Sequence, residues 1–225
     1  MTTDEHGGGA GPRAADEHGG SAGPRAADEH GGGAGPRAAD EHGGGAGPRA
    51  ADEHGRIDPP FAGDEMSTLR GFLDFHRRTL AWKLEGLTRD QLAATHTPST
   101  MTLGGMLKHL AYVEDSWFGE VFLGREPSEP WRSTDWQADA DWDWHSAVDD
   151  DPADVLTLWK ESVARSDAAL EAATDGLDTL GVRPWRGTGE PLSLRWIVVH
   201  MIEEYCRHNG HADLLREAID GSTGE

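Results

Sequence analysis

The sequence predicts an all-α fold: a four-helix bundle with one long crossover loop, preceded by a disordered N-terminal tail. Three observations carry this. Four stretches of about twenty residues repeat their apolar positions at helical spacing. Gly- and Pro-containing connectors separate them, and no segment alternates apolar and polar residues as a strand does. Ahead of them the chain repeats itself without core-forming side chains.

The repeat occupies residues 4–54. Its unit is DEHGG(G/S)AGPRAA, and a fifth copy is cut short at Asp52-Glu53-His54. Nearly all its apolar content is alanine, too little to offset the entropy lost on ordering. Residues 1–60 are therefore expected to be a disordered tail and residues 61–225 a single domain. All nine tryptophans lie in the latter part. The repeated Asp-Glu-His triplets could bind Zn²⁺ or Ni²⁺ loosely, but a repeat expansion without a selected role explains them as well.

The first helix is expected over residues 65–87, with Leu69, Phe72, Leu73, Phe75, His76, Leu80, Leu84 and Leu87 near helical spacing. It ends near Gly86. A short turn capped by Thr88 follows. The second helix begins near Thr102, carries Leu103, Met106, Leu107, Leu110, Val113, Trp117 and Val121, and stops at Gly124. Residues 125–151 hold Trp131, Trp136, Trp142, Trp144 and many aspartates, which is too long and too aromatic for a plain connector. The third helix runs from Asp151-Pro152 to Thr174, with Pro152 suited to the first turn. The fourth begins near Pro191-Leu192-Ser193 and ends at Gly221.

The fourth helix holds the most informative segment, WIVVHMIEEYCRHNGHADLLREAI, residues 196–219. At about 100° per residue, His200, Glu204, His208 and His211 share an arc of roughly 80°. Glu204 and His208 are an i, i+4 pair and point to nearly one spot. Ile197, Met201 and Leu215 bracket them, whereas His200 and His211 sit nearer the polar edge. A carboxylate and an imidazole turned toward an apolar core are costly without a partner. A divalent metal is the natural one, and three protein ligands leave one position for chemistry. The third ligand is expected to be His109, in MLKHLAYVED. His200 and His211 are candidates for bonding Glu204 from outside the ligand set, or for lining the mouth of a pocket. His145 could reach the site from the tryptophan-rich loop, although a surface position suits it better. Cys206 faces roughly away from the ligand arc and is expected to be a packed small residue.

Charge and composition exclude several functions. The formal net charge is −21, which argues against binding a phosphate backbone. The single cysteine allows no intrachain disulfide, and a cytoplasmic setting is expected. No apolar run is long enough to span a bilayer, and the N-terminus lacks the features of a signal peptide.

The segments LGGMLKHLAYVEDSWF and HMIEEYCRHNGHADLLRE resemble the DinB-like superfamily of four-helix metalloproteins. Within it they are most similar to the actinobacterial branch of mycothiol-dependent maleylpyruvate isomerase and mycothiol S-transferases. The resemblance covers residues 64–221. It implies one metal ligand from the second helix, at His109, and two from the fourth. In the isomerase branch those two are glutamate and histidine, which map onto Glu204 and His208. That isomerase uses a further C-terminal domain in catalysis. This chain ends at Glu225, so isomerisation is not expected while thiol transfer remains open.

The function so implied is metal-dependent transfer of a low-molecular-weight thiol, mycothiol in an actinobacterial host, to an electrophilic small molecule. The expected metal is zinc, with nickel or iron as alternatives. An open position on the ion could equally activate water for hydrolysis, and the ligand set does not choose between thiol and water. A non-catalytic, stress-associated metal-binding protein is the other class. The expected partners are a small thiol and a small-molecule substrate, with no nucleic acid and no membrane; assembly into a homodimer is left open.

Overall fold

A computed structural model of the chain describes residues 49–184 and 188–223. The expected disordered tail lies outside the described residues up to residue 48. The compact unit spans Ala50–Glu225, and its described residues are helical, with only an isolated bridge between Leu180 and Ser193.

Local chemistry sets the helix ends. Helix α1, Glu65–Leu84, starts where the Asp64 carboxylate accepts from the Ser67 N–H, and Gly86 follows it in the left-handed region, φ 75°. The short α2, Arg89–Leu92, opens on a reciprocal capping box between Thr88 and Gln91. Helix α3, Leu103–Glu114, is capped by Thr102. It continues as a π-helix over Asp115–Phe122. The sequence foresees one α-helix to Gly124; Gly119, which weakens α-helical winding, sits inside the stretch that differs. Inside the crossover lies α4, Trp142–His145. Helix α5, Pro152–Ala172, is capped by Asp151 with Pro152 in its first turn. Helix α6, Leu194–Asp220, begins at the Ser193 cap and ends at Gly221, φ 78°.

The four long helices make the bundle. Helix α1 lies along α6 and α3 along α5, and α3 also meets α6. Leu73, Leu80, Met106, Leu110, Ile197 and Met201 are fully buried between them. A polar lock crosses this apolar interior. The Arg77 guanidinium donates to both oxygens of Glu114 at 2.8 Å. The Tyr205 hydroxyl donates to Glu114 Oε1 at 2.9 Å, and Trp159 Nε1 donates to the Tyr205 hydroxyl at 2.8 Å. One residue from each long helix takes part.

The crossover lies against α3. Trp131 is 2% exposed and donates to Asp115 Oδ2 at 2.9 Å; Arg165 clamps the same carboxylate with two hydrogen bonds. The Lys108 ammonium bonds Ser146 and Asp150 and lies 4.0 Å above the Trp142 ring.

The compact unit reaches back beyond residue 60, where the sequence places the boundary. The His54 ring stacks on Trp82 at 3.8 Å. The Arg56 guanidinium lies over both Trp82 and Phe75, and Arg78 donates to the Gly55 carbonyl at 2.8 Å. The reason is local: the broken fifth repeat replaces a glycine by Arg56, whose planar cation seats on aromatic rings of α1. Because the repeat lacks core-forming side chains, deleting residues 1–48 is expected to leave the melting temperature unchanged. Deleting residues 1–60 removes these contacts and is expected to lower stability by about 1–2 kcal/mol. Thermal denaturation of the two truncations compares them directly.

Candidate metal centre

His109 projects from α3, and Glu204 and His208 project from successive turns of α6. The fold brings the three together: one donor atom from each, two imidazole nitrogens and a carboxylate oxygen, all lie within 4.8 Å of one another. His208 Nε2 and Glu204 Oε2 are 3.5 Å apart, close to the roughly 3.4 Å that separates two ligands of a tetrahedral zinc ion. The rings of His109 and His208 meet edge to face with centroids 5.0 Å apart.

The site is partly buried. The His208 side chain is 8% exposed and Glu204 21%. His208 Nδ1 is buried without a hydrogen-bond partner, a state that is rare unless a ligand or water completes it. Burial pushes the His208 pKa down, with the nearby His109 and His211 adding to it against the pull of Glu204. The ring is thereby kept neutral, the form that binds metals. Burial works against the charge on Glu204, but His208, His200 and His109 outweigh it and lower its pKa. Two imidazoles beside an ionised carboxylate are a donor set that fits a divalent cation such as zinc.

The flanking histidines divide. His200 Nε2 lies 3.4 Å from Glu204 Oε1, with its ring stacked on Trp196 and edge-on to Trp117. His211 lies instead beside the His208 ring, at 5.8 Å between centroids. The crossover does enter the site, but not through His145, which is exposed and held by Asp139 at 2.9 Å. It enters through Asp143 and Trp144. Asp143 Oδ2 is 2.7 Å from His109 Nδ1, and the Trp144 ring stacks on His109 at 4.7 Å and reaches His208 at 5.5 Å. The one sequence cue to this was the aromatic density of the crossover.

Cys206 takes no part in the cluster. It is exposed, not packed as expected, and its sulfur lies 3.0 Å from His76 Nε2. Its position on α6 turns it toward α1, away from α3 and the ligand atoms.

A family model described as mycothiol-S-transferase matches residues 68–221. The chain belongs to the mycothiol-S-transferase family. That match contains the whole bundle from the first turn of α1 onward, and with it His109, Asp143, Glu204 and His208. Membership gives the chain a mycothiol-related transferase role, with a small-molecule thiol as partner. No curated protein matches the chain. No helix among the described residues is long and apolar enough to cross a membrane.

Proposed function

We propose that this chain is a metal-dependent transferase that joins a low-molecular-weight thiol, mycothiol, to an electrophilic small molecule. The observation that supports it is the three-donor cluster of His109, Glu204 and His208 lying inside the family match. In this reading those side chains hold a divalent ion, zinc by the chemistry of the donor set. Bound there, the ion lowers the pKa of a thiol at its open position, so that the sulfur is a thiolate at neutral pH.

The chain's own residues supply the rest. Glu204 would provide one negative charge against the two of the cation, and histidine ligands add none. The site so assembled keeps a net positive charge, which favours an anionic sulfur. Trp144 covers His109 on the crossover side and excludes water there. Sulfur would form a bond to an electrophilic carbon as the bond from that carbon to its leaving group breaks, the electron pair going with the leaving group and the thiol proton to solvent or to the leaving group. Cys206 is not the nucleophile in this reading, because its thiol lies beside His76 on α1, outside the cluster.

Thiol consumption with model electrophiles tests this. The protein is stripped with a chelator and reloaded with zinc, nickel or iron, and mycothiol is compared with glutathione. A metal-dependent rate with mycothiol is expected, and Cys206→Ala is expected to keep it. No metal-dependent rate with any thiol, or a rate abolished in Cys206→Ala, would overturn the proposal.

A further inference from the structure

The geometry points to Asp143 as a positioning residue of the metal centre: its carboxylate, delivered by the crossover, holds His109 with Nε2 facing the ion. This rests on the metal reading above. Asp143 Oδ2 lies 2.7 Å from His109 Nδ1. A carboxylate only accepts, so the proton between them belongs to Nδ1 and the lone pair of the neutral ring is left on Nε2. A histidine ligand held this way is fixed in both tautomer and ring orientation.

The burial of Asp143 has no other explanation in its segment. Asp135, Asp141, Asp149 and Asp151 are exposed, while the Asp143 side chain is 5% exposed. Nor does Asp143 cap α4, which has no side-chain cap. The crossover has further anchors on α3. Lys108, the residue before His109, already ties it down through Ser146, Asp150 and the Trp142 ring. Gly105, one turn earlier on α3, opens the space: a Cβ there would come within 2.9 Å of the Trp144 carbonyl oxygen. The same helix that carries His109 therefore seats α4, and α4 returns a carboxylate to one ring edge and an indole to one ring face.

Two measurements test the assignment. Nitrogen-15 NMR of the metal-free protein reads which His109 nitrogen carries the proton. Chelator competition reads zinc affinity in the wild type and in Asp143→Asn, with thermal melting of both. The wild type is expected to hold His109 as the Nδ1–H form. Asparagine can donate to Nδ1, so the variant should shift toward the Nε2–H form. Its zinc affinity should fall by about 10–100-fold while the metal-free protein keeps its melting temperature. An Nε2–H His109 in the wild type would overturn the inference, whether or not the variant folds. So would unchanged zinc affinity in a folded Asp143→Asn. A wild type that takes up no zinc would instead sink the metal reading, leaving the tautomer as a plain structural bond.

Discussion

His208→Ala is expected to purify without metal, and the wild type with about one divalent ion per chain. The side chain is nearly buried and its Nε2 lies 3.5 Å from Glu204 Oε2, so alanine removes one donor of the cluster. Its loss should exceed the roughly 10–100-fold that outer partners of a metal site cost. His211 is the nearest substitute, but its ring lies 5.8 Å from that of His208. Elemental analysis reads the result directly, and melting supplies a second readout. An ion that binds only the folded chain adds about 4.1 kcal/mol when present at a thousand times its Kd. The wild-type melting temperature should therefore rise on adding zinc, and that of His208→Ala should not. Full metal retention in the variant would remove His208 from the site.

Much of this centre was legible because it lies on helices. The i, i+4 spacing of Glu204 and His208 and the apolar faces of α3 and α6 are periodic, and periodicity survives in a sequence. The ends were legible for the same reason: Thr88, Thr102, Asp151 and Ser193 are local caps that need no knowledge of the fold. Asp143 was not. It is one of many aspartates in a segment without a period, and only the path of the crossover over α3 selects it. His145 was the more visible residue there because histidine is rarer, and it lies at the surface as expected. The same limit applies to α1. Phe72 belongs to its apolar pattern but is 44% exposed, while Arg77 is 3% exposed. An amphipathic pattern places a helix face to within a residue or so, and it cannot show that an arginine at the seam will meet a glutamate thirty-seven residues away. The aromatic seat that draws residues 50–60 onto α1 was hidden likewise, since it depends on Phe75 and Trp82 lining up one above the other.

Glu114→Gln should be the most destabilising conservative change in the bundle. Glu114 is fully buried and receives both nitrogens of Arg77 as well as the Tyr205 hydroxyl. Burial disfavours the Arg77 charge, and Glu114 more than restores it, raising the Arg77 pKa. Glutamine keeps the volume and removes the charge. Arg77 is then a buried cation with only the partly exposed Asp74 and Asp167 left to it. Breaking a buried pair in this way costs about 3–5 kcal/mol. At about 2–4 °C per kcal/mol for a domain of this size, the melting temperature should fall by roughly 6–20 °C. The double change Arg77→Met with Glu114→Leu should recover much of the loss, because replacing both partners by apolar groups can be nearly neutral. Tyr205 connects this lock to function. It adjoins Glu204 on α6, and its bond to Glu114 fixes the rotation of that helix against α3. Well below its melting temperature, Glu114→Gln should still bind zinc, since His109, Glu204 and His208 are untouched, but more weakly than the wild type. An unchanged melting temperature would show that the lock contributes nothing to stability, and full zinc affinity would show that the rotation of α6 is set by apolar packing alone.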